Sequence, residues 1–152
     1  MSENPKRLLG MRLVGLARHW RHYLDEQLVA SGLTDATWAP LMHLHRAGDG
    51  LLQKDLAARI GLDVSSLVRL LDILEAQDLV VRHPDPHDRR AKRLRLTPKG
   101  HARVEHIRDK VEPLEDGLLQ DLDENEVQAL FSAFERIEAR LRTKPSHAGP
   151  QT

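Results

Sequence analysis

Residues 51–80 read LLQKDLAARIGLDVSSLVRLLDILEAQDLV, and this stretch decides the fold. Its apolar residues recur every three or four positions, as in the buried stripe of a helix, at Leu52, Leu56 and Ile60 and again at Val64, Leu67, Leu71 and Leu74. Gly61 is suited to end the first helix, and Asp63 is suited to cap the second. Two short amphipathic helices joined only by GLD must cross steeply, which predicts a helix-turn-helix.

The outward face of the second helix carries Ser65, Ser66 and Arg69 close to its N-terminus. Hydroxyl and guanidinium groups in that position can meet base edges and phosphates in the major groove of DNA. The same pattern is also compatible with ordinary packing of a helical hairpin, so these helices alone leave both interpretations open.

The next segment predicts a basic β-hairpin. Residues 79–83 (LVVRH) are rich in β-branched side chains and are followed by Pro84 and Pro86, while residues 92–96 (KRLRL) alternate leucine with basic residues. A basic hairpin directly after a helix-turn-helix is the arrangement of a winged helix. An arginine at its tip can enter the minor groove, where the negative potential of DNA is concentrated.

Charge is segregated along the chain although the formal net charge is zero. Between Arg82 and Arg103 there are eight Lys and Arg and two Asp, a balance of plus six. Between Glu105 and Glu126 there are nine Asp and Glu and two basic residues, a balance of minus seven. The basic hairpin favours an anionic polymer as partner, although two solvated charged faces would give the same count.

The segment before the helix-turn-helix is predicted to be helical. Apolar residues at helical spacing predict a first helix over residues 6–30, with Ser31-Gly32 as its end. A second helix follows, for which Thr34 and Thr37 are both candidate caps. With Thr34 as the cap, Pro40 would delete a backbone hydrogen bond inside the helix, whereas with Thr37 it would lie in the first turn at little cost.

Two helices after the hairpin suit dimerisation. Thr97 and Pro98 predict the start of a helix that runs through about Leu119, and Pro113 should kink or interrupt it. Asp123 and Glu126 form a capping-box pattern at the start of the last helix. The apolar stripe of that helix consists of Val127, Leu130, Phe131, Phe134, Ile137 and Leu141. One small subunit has too little core to cover the apolar faces of these helices and the first, so a twofold dimer is expected.

The run DRRAKRLRLTPKG at residues 88–100 resembles the Asp-x-Arg wing signature of the MarR-type transcriptional regulators, with the Leu-Thr and Gly that follow it. The similarity extends, in the order and spacing of the family, through LARHWRHYLDEQL (16–28), LTDATWAPL (33–41), LAARIG (56–61) and SSLVRLLDILEAQDLV (65–80). It covers about residues 8–143 and resembles the SlyA branch in particular.

The resemblance implies a mainly α protein with a small β-hairpin wing (α+β), which is a winged helix-turn-helix with a helical dimerisation region. Within a single domain over 1–152, the DNA-binding lobe would span 34–97, the dimerisation region 6–32 and 98–143, and a disordered tail 144–152. The implied function is that of a homodimeric regulator, expected to be a repressor, which binds an inverted-repeat operator in double-stranded DNA.

The resemblance also implies the DNA-binding residues, which are Ser65, Ser66 and Arg69 in the major groove, Arg90 in the minor groove, Arg89 and Lys92 at phosphates, and Asp88 and Lys54. Asp88 would orient the wing through a charge-assisted bond to a nearby arginine. A simple turn-forming role is the alternative for this aspartate.

Aromatic residues raise the question of a ligand. Arg18 and Arg21 lie close to Trp20 on the first helix, and Trp38 and Met42 follow on the second. A guanidinium can pair with a carboxylate while a ring stacks on tryptophan, and MarR relatives commonly respond to aromatic acids. These five residues are the predicted site for a small aromatic carboxylate effector, with core tryptophans and surface arginines as the alternative.

Other classes of function are excluded or weakened. The chain has no Cys, which excludes thiolate chemistry, and no apolar run approaches the roughly 20 residues of a membrane helix, so a cytoplasmic location, at the nucleoid when DNA is bound, is expected. No catalytic motif is present, so neither enzymatic activity nor a cofactor is expected. A metal-responsive regulator, with His19 and His22 or His43 and His45 as ligands, is the alternative, and a winged helix that binds only protein is a third candidate.

Overall fold

A computed structural model describes residues 4–30, 33 and 37–143 of the chain. Its elements in chain order are α1 (Pro5–Ala30), α2 (Trp38–Ala47), β1 (Leu51–Leu52), α3 (Gln53–Ile60), α4 (Val64–Ala76), β2 (Val80–Pro84), β3 (Lys92–Leu96), α5 (Pro98–Leu119) and α6 (Glu124–Arg142). Helices with one small antiparallel sheet confirm the predicted fold class. The chain divides into two compact units, Met1–Leu114 and Glu115–Thr152, which are described separately.

The two halves of α1 have different surroundings. Leu24 and Leu28 near its C-terminus are buried in the core of the first unit. Leu9, Leu16 and further apolar residues of its N-terminal half are exposed. Apolar surface in contact with water costs roughly 25 cal/mol per Å². The N-terminal half of α1 is therefore an apolar surface that a single chain leaves uncovered.

The start of α2 decides between the two candidate caps. Trp38 is the first residue of the helix, so Pro40 lies in the first turn, where its missing N–H breaks no intrahelical bond. Thr37 acts through its backbone, because its carbonyl accepts the N–H of Leu41 at 3.4 Å while its side chain makes no capping bond. Thr34 lies outside the described residues.

The helix-turn-helix forms around leucines at the predicted positions. Leu56 of α3 and Leu67, Leu71 and Leu74 of α4 are fully buried, and Ala57 is buried beside them. Complete burial of each leucine contributes roughly 1.5–3 kcal/mol relative to leaving it exposed. The predicted stripe is therefore correct for these four leucines, whereas Leu52 and Ile60 are only partly buried and Val64, which was predicted to be buried, is 50% exposed because it lies in the first turn of α4.

The wing is the hairpin of β2 and β3. Val80 pairs with Leu96 across the hairpin, and these two residues and Leu94 lie on its buried face. Arg93 and Arg95, on either side of Leu94 in β3, consequently lie on the opposite face, since side chains alternate along a strand. The two predicted strands are thereby confirmed.

A third strand, β1, extends the sheet in the order β1-β3-β2. Leu51 of β1 pairs with Leu94, and Leu52 pairs with Arg93. The sequence did not predict this strand, because Leu52 continues the helical spacing of α3 and two residues are too few to show alternation. Leu52 instead has an extended backbone, with φ −70° and ψ 142°, and α3 begins one residue later.

The first turn of α5 lies against the segment between α4 and β2. The hydroxyl of Thr97 accepts the N–H of Gly100 at 2.9 Å and donates to the carbonyl of Asp78 at 2.6 Å. The backbone N–H of Thr97 donates to the carbonyl of Leu79 at 3.1 Å. A Cβ on Gly100 would overlap that same carbonyl oxygen, so only glycine fits at this position.

Pro113 does not interrupt α5. The helix is one element from Pro98 to Leu119 with Pro113 inside it, so of the two predicted outcomes a break does not occur. A proline inside a helix costs about 3 kcal/mol. Burial of Val104, Ile107 and Val111 on the same helix outweighs that cost, at roughly 1.5–3 kcal/mol for each side chain.

The second unit contains α6, which begins with the predicted capping box. The N–H of Glu126 donates to the Asp123 carboxylate and the N–H of Asp123 donates to the Glu126 carboxylate, both at 2.9 Å. No residue of α6 is buried within the single chain. Its apolar stripe is exposed, with 57% of Phe131 and 73% of Leu141 accessible. A contiguous stripe of this kind is typical of an association surface.

Some predictions concern residues that the structure does not describe, namely the helix stop at Ser31-Gly32 and the tail over 144–152. The division into a DNA-binding lobe over 34–97 and a dimerisation region over 6–32 and 98–143 stays a prediction. Of the helices in the described part of the chain, none is long and apolar enough to cross a membrane.

We expect Gly100→Ala to lower the free energy of unfolding by about 1–3 kcal/mol, because the new methyl group must displace the backbone of Leu79. Gly117→Ala in the same helix is the matched control, since in one chain nothing lies within 4 Å of its added Cβ. That variant should gain about 0.5–1 kcal/mol from helix propensity. Urea unfolding followed by circular dichroism measures both, and equal effects would show that Leu79 does not constrain position 100.

Candidate nucleic-acid interface

A short turn joins α3 to α4. Gly61 has φ 76° and ψ 29°, a left-handed conformation that favours glycine. The N–H groups of Gly61 and Leu62 both donate to the carbonyl of Ala57, at 3.0 and 3.1 Å. The backbone of Asp63 is then extended, and its carboxylate caps α4 by accepting the N–H of Ser66 at 2.8 Å. The predicted stop and the predicted cap are both confirmed.

The first turns of α4 expose Val64, Ser65 and Arg69. Ser66 is half-buried, and its hydroxyl donates to the Asp63 carboxylate at 2.7 Å. The hydrogen bonds from Ser66 hold the pKa of Asp63 below its ordinary value, so this carboxylate is ionised at neutral pH. Of the three residues predicted for the major groove, Ser65 and Arg69 are therefore exposed, whereas Ser66 is tied to the helix cap.

Asp85 organises the tip of the wing. Only 7% of its side chain is exposed, and its carboxylate accepts the N–H of His87 at 2.7 Å and that of Asp88 at 3.1 Å. It also accepts Nε of Arg93 at 2.6 Å, and the guanidinium of Arg93 donates to the carbonyl of Gly50 at 2.8 Å. These bonds, the one from His87 foremost, lower the pKa of Asp85. One carboxylate thus ties the tip to β3 and, through Arg93, to the segment before β1.

Asp88 has a different role from the one that the resemblance implied. Its carboxylate accepts the backbone N–H of Arg90 at 3.0 Å, and its carbonyl accepts that of Ala91 at 3.0 Å. These are the bonds of a turn-forming residue. The charge-assisted bond to an arginine is made by Asp85 instead. The sequence places two aspartates in one loop, and its spacing alone does not tell which of them is buried.

Exposed basic side chains surround one concave surface. Arg89, Arg90 and Lys92 are exposed at the wing, and Lys54 is exposed on α3. A depression of about 260 Å³ is lined by Lys54, Arg90 and Lys92 together with Val64, Asp88 and three further residues, but not by Arg89. We call it the cationic depression, because three basic residues and one acidic residue line it. It brings predicted DNA-binding residues of α3 and of the wing together beside the first residue of α4.

Other basic residues of the hairpin are held by carboxylates. Arg82 of β2 donates to Asp72 of α4 through Nη2 at 2.6 Å and to Glu75 through Nε at 3.0 Å. The hydrogen bond to Glu75 is the first cause of a raised pKa for Arg82. Because Arg93 is likewise paired with Asp85, the positive balance counted from the sequence overstates the charge that the wing offers to a ligand.

The five residues predicted to bind an effector are brought together only in part. Trp38 and Met42 are buried, with 8% and 7% of their surface exposed, and Trp20 packs against the core while half-buried. Arg18 is exposed on α1. In this structure Trp38 and Met42 therefore offer little surface on which a ligand could stack.

Arg21 is already engaged by other groups. Its guanidinium lies over the Trp38 ring, 4.7 Å from the centroid, and its Nε donates to both oxygens of Asp25 at 3.2 Å. The indole N–H of Trp38 donates to the same carboxylate at 2.8 Å. Asp25 links the two helices, although it was not among the predicted site residues. Nothing in its spacing singles out this aspartate from its charged neighbours.

The histidines make other contacts. In the part of the chain that the structure describes, no group of three or more His, Asp and Glu could hold a metal ion, and the metal-responsive alternative gains no support. Burial, followed by the charges of Arg46, Arg21 and Arg59, lowers the pKa of His43. The ring of His45 lies edge-to-face against that of His101, with 6.3 Å between the centroids.

Known proteins share both the sequence pattern and the fold. Residues 31–91 match the model of the MarR family. The chain is similar to the transcriptional regulator PA3341, with 37% identity over 90% of this chain and 99% of that chain and a TM-score of 0.78. It is similar to a structure of MarR, with 30% identity over 89% and 98% of the two chains and a TM-score of 0.64. A mutant MarR from E. coli in complex with operator DNA has 25% identity over 90% and 99% and a TM-score of 0.66.

We expect Asp85→Ala to loosen the wing tip and to weaken DNA binding several-fold, because it releases Arg93 and the amides of His87 and Asp88. Asp85→Asn is the matched control, since its amide oxygen still accepts backbone N–H groups but carries no charge opposite Arg93, and its effect should be intermediate. Amide hydrogen exchange of the tip and fluorescence anisotropy with DNA measure the two effects. An Asp85→Ala protein with unchanged exchange and affinity would contradict the role assigned to this carboxylate.

The same pair of proteins has an expected pH dependence. The folded state lowers the pKa of Asp85, so the stabilisation from its charge is fully present above the unfolded pKa near 3.8 and is lost as pH falls through the lower folded value. The stability difference between the wild type and Asp85→Asn should therefore shrink on acidification below this pH. Urea unfolding at a series of pH values measures that difference.

Proposed function

The chain belongs to the MarR family, and we propose that it is a transcriptional repressor that binds an inverted-repeat operator as a homodimer. The cationic depression carries this proposal. Lys54 of α3, Val64 of α4 and Arg90 and Lys92 of the wing line it together, so its basic residues would lie along a phosphate strand if α4 occupied the major groove and the wing the neighbouring minor groove. Membership of the SlyA branch stays a prediction.

Each exposed side chain has a role in this proposal. Ser65 and Arg69 read base edges from the exposed face of α4, and Ser66 approaches the bases beside them. Arg90 enters the minor groove, with its backbone fixed by the Asp88 carboxylate. The phosphates are bound by Lys54, Arg89 and Lys92. An E. coli relative that binds operator DNA supports the choice of ligand.

Exposed apolar surface supports the homodimer. Leu9 and Leu16 on α1 and Phe131 and Leu141 on α6 are each at least half exposed in one chain. A second copy related by a twofold axis would cover these faces. The same axis relates two copies of α4, and for this reason we propose an operator with the symmetry of an inverted repeat. Such a regulator acts at the nucleoid, in the cytoplasm.

Selection of bound DNA fragments followed by sequencing tests this function. We expect an inverted repeat with half-site centres about 10 base pairs apart, which is one turn of the duplex. The full repeat should bind more tightly than a half-site, and the affinity should fall steeply with salt because phosphate contacts release counterions. A half-site that bound as tightly as the full repeat would contradict the dimeric arrangement.

The same assay tests the wing. Arg90→Ala should weaken operator binding by roughly 1–3 kcal/mol without unfolding the protein, because it removes a groove contact from an exposed side chain. Arg46→Ala on α2 is the matched control, since it removes an exposed arginine that lies neither in the cationic depression nor on the helices proposed to form the dimer. Equal affinities of the two variants would refute the assignment of Arg90.

We also propose that a small aromatic carboxylate is the effector, bound beside Trp20, Trp38 and Met42 by Arg21 with Arg18. What supports this choice is that Arg21 already holds a carboxylate, that of Asp25, while it lies over an indole ring. An aromatic acid would offer Arg21 the same two kinds of group, a carboxylate and an aromatic ring. Release of DNA requires that the acid bind a conformation with misplaced recognition helices more tightly than the DNA-binding one.

Tryptophan emission reports this binding, because Trp20 and Trp38 are the only two tryptophans of the chain. A salicylate-like acid at millimolar concentration should change the emission and weaken DNA binding. Arg21→Ala should reduce both responses and leave the DNA affinity without ligand nearly unchanged, and Arg12→Ala on the same helix is the control. If aromatic acids changed neither the emission nor the DNA affinity, the effector proposal would be withdrawn while the DNA-binding proposal remained.

A further inference from the structure

We propose that Asp63 determines which bases Ser66 can recognise, by fixing the direction of the hydrogen bond between the two side chains. The inference rests on the DNA-binding function proposed above and assigns a specificity-determining role to a residue that does not itself need to touch DNA. Its starting point is the geometry of the α4 cap. Asp63 Oδ2 lies 2.7 Å from Ser66 Oγ, and Asp63 Oδ1 accepts the backbone N–H of Ser66 at 2.8 Å.

The direction of the side-chain bond follows from the protonation state of Asp63. An ionised carboxylate only accepts hydrogen bonds, so the hydrogen between the two oxygens belongs to Ser66. The lowered pKa of Asp63 keeps the carboxylate ionised throughout the neutral range. A serine hydroxyl has one hydrogen and two lone pairs. With that hydrogen committed to Asp63, Ser66 can only accept a hydrogen bond from any other group.

An acceptor discriminates between bases in the major groove. At the exocyclic position of each base, adenine and cytosine present an amino group, whereas guanine and thymine present a carbonyl oxygen. Ser66 held in this way fits adenine or cytosine and is mismatched to guanine or thymine. The same serine with a free hydrogen would accept either kind of base, because it could rotate to donate or to accept.

A second observation places this bond beside the DNA. Val64, the first residue of α4, lines the cationic depression together with Arg90 and Lys92 of the wing. The first turn of α4 therefore lies next to the basic side chains that would bind the duplex. Ser66 is half-buried in that turn, so part of its side chain is accessible.

Asp63→Asn tests the proposal because it reverses the direction of the bond while keeping the cap. Asparagine is as good an N-cap as aspartate, and its oxygen can still accept the N–H of Ser66. Its amide nitrogen then replaces Oδ2 and can only donate, which makes Ser66 Oγ the acceptor toward position 63. The hydroxyl hydrogen is freed to point at the base. Ser66 Oγ then keeps its hydrogen and one lone pair for the base, so the variant should bind guanine or thymine at the contacted position as well as adenine or cytosine.

The measurement is the affinity for a series of operator duplexes, each with one base pair replaced symmetrically in both half-sites. The wild type should prefer adenine or cytosine by roughly 3- to 10-fold at one position, the size of one hydrogen bond. Asp63→Asn should remove the preference there and nowhere else by strengthening binding to the guanine and thymine duplexes, whereas Ser66→Ala should remove it by weakening binding to the adenine and cytosine duplexes. Asp123→Asn makes the same change at the cap of α6 and should leave every preference unaltered.

The outcomes are distinct. A change of base preference confined to one position supports the proposal, and thermal unfolding confirms that the variant is folded. A uniform loss of affinity over all duplexes, or an unchanged preference in Asp63→Asn, would mean that the bond only caps the helix and would overturn the inference. Failure of the wild type to bind any selected duplex would overturn the proposed function itself, and the inference with it.

Discussion

The close contact between Gly100 and the carbonyl of Leu79 is the constraint on which the arrangement of the DNA-binding elements depends. The segment around Leu79 joins α4 to β2, and the segment from Thr97 to Gly100 joins β3 to α5. The hydroxyl and the backbone N–H of Thr97 hold these two segments together through Asp78 and Leu79. Because any side chain on Gly100 would force them apart, one joint determines how the recognition helix, the wing and α5 meet.

This joint also couples the first turn of α5 directly to the end of α4. Backbone hydrogen bonds and tightly packed atoms transmit a displacement of one segment to the next better than exposed side chains do, because packed groups have few alternative positions. α5 is one uninterrupted helix, so a change in the direction of its first turn acts directly on Asp78 and Leu79. The Arg21–Asp25–Trp38 cluster lies on other elements, α1 and α2, and reaches α4 through the shared leucine core.

Local signals in the sequence predict the helices and their caps well. Asp63 caps α4 and Asp123 with Glu126 caps α6 because each cap is completed within three residues of chain. The missed features include contacts between residues distant in sequence. β1 exists because Leu51 pairs with Leu94, and Asp85 is a buried hub because Arg93 folds back toward Gly50. No periodicity encodes such a pairing, so the exposed basic side chains of the wing could be predicted, whereas the residues that position the wing could not.

Carboxylates divide the arginines of the wing into two groups, those whose guanidinium a carboxylate already holds and those whose guanidinium it does not hold. Arg82 is held by Asp72 and Glu75, and Arg93 by Asp85. Asp72 and Glu75 are exposed, and exposed pairs contribute little to stability, about 0–1 kcal/mol, so the main effect of their pairs with Arg82 is on geometry and on the availability of charge. An arginine that must leave a carboxylate to bind a phosphate gains less binding free energy than an arginine that only leaves water. The Asp88 carboxylate accepts the backbone N–H of Arg90, so the Arg90 guanidinium does not have to leave Asp88 to bind a phosphate. The acidic residues of a DNA-binding surface thereby select which of its basic residues the polyanion can use.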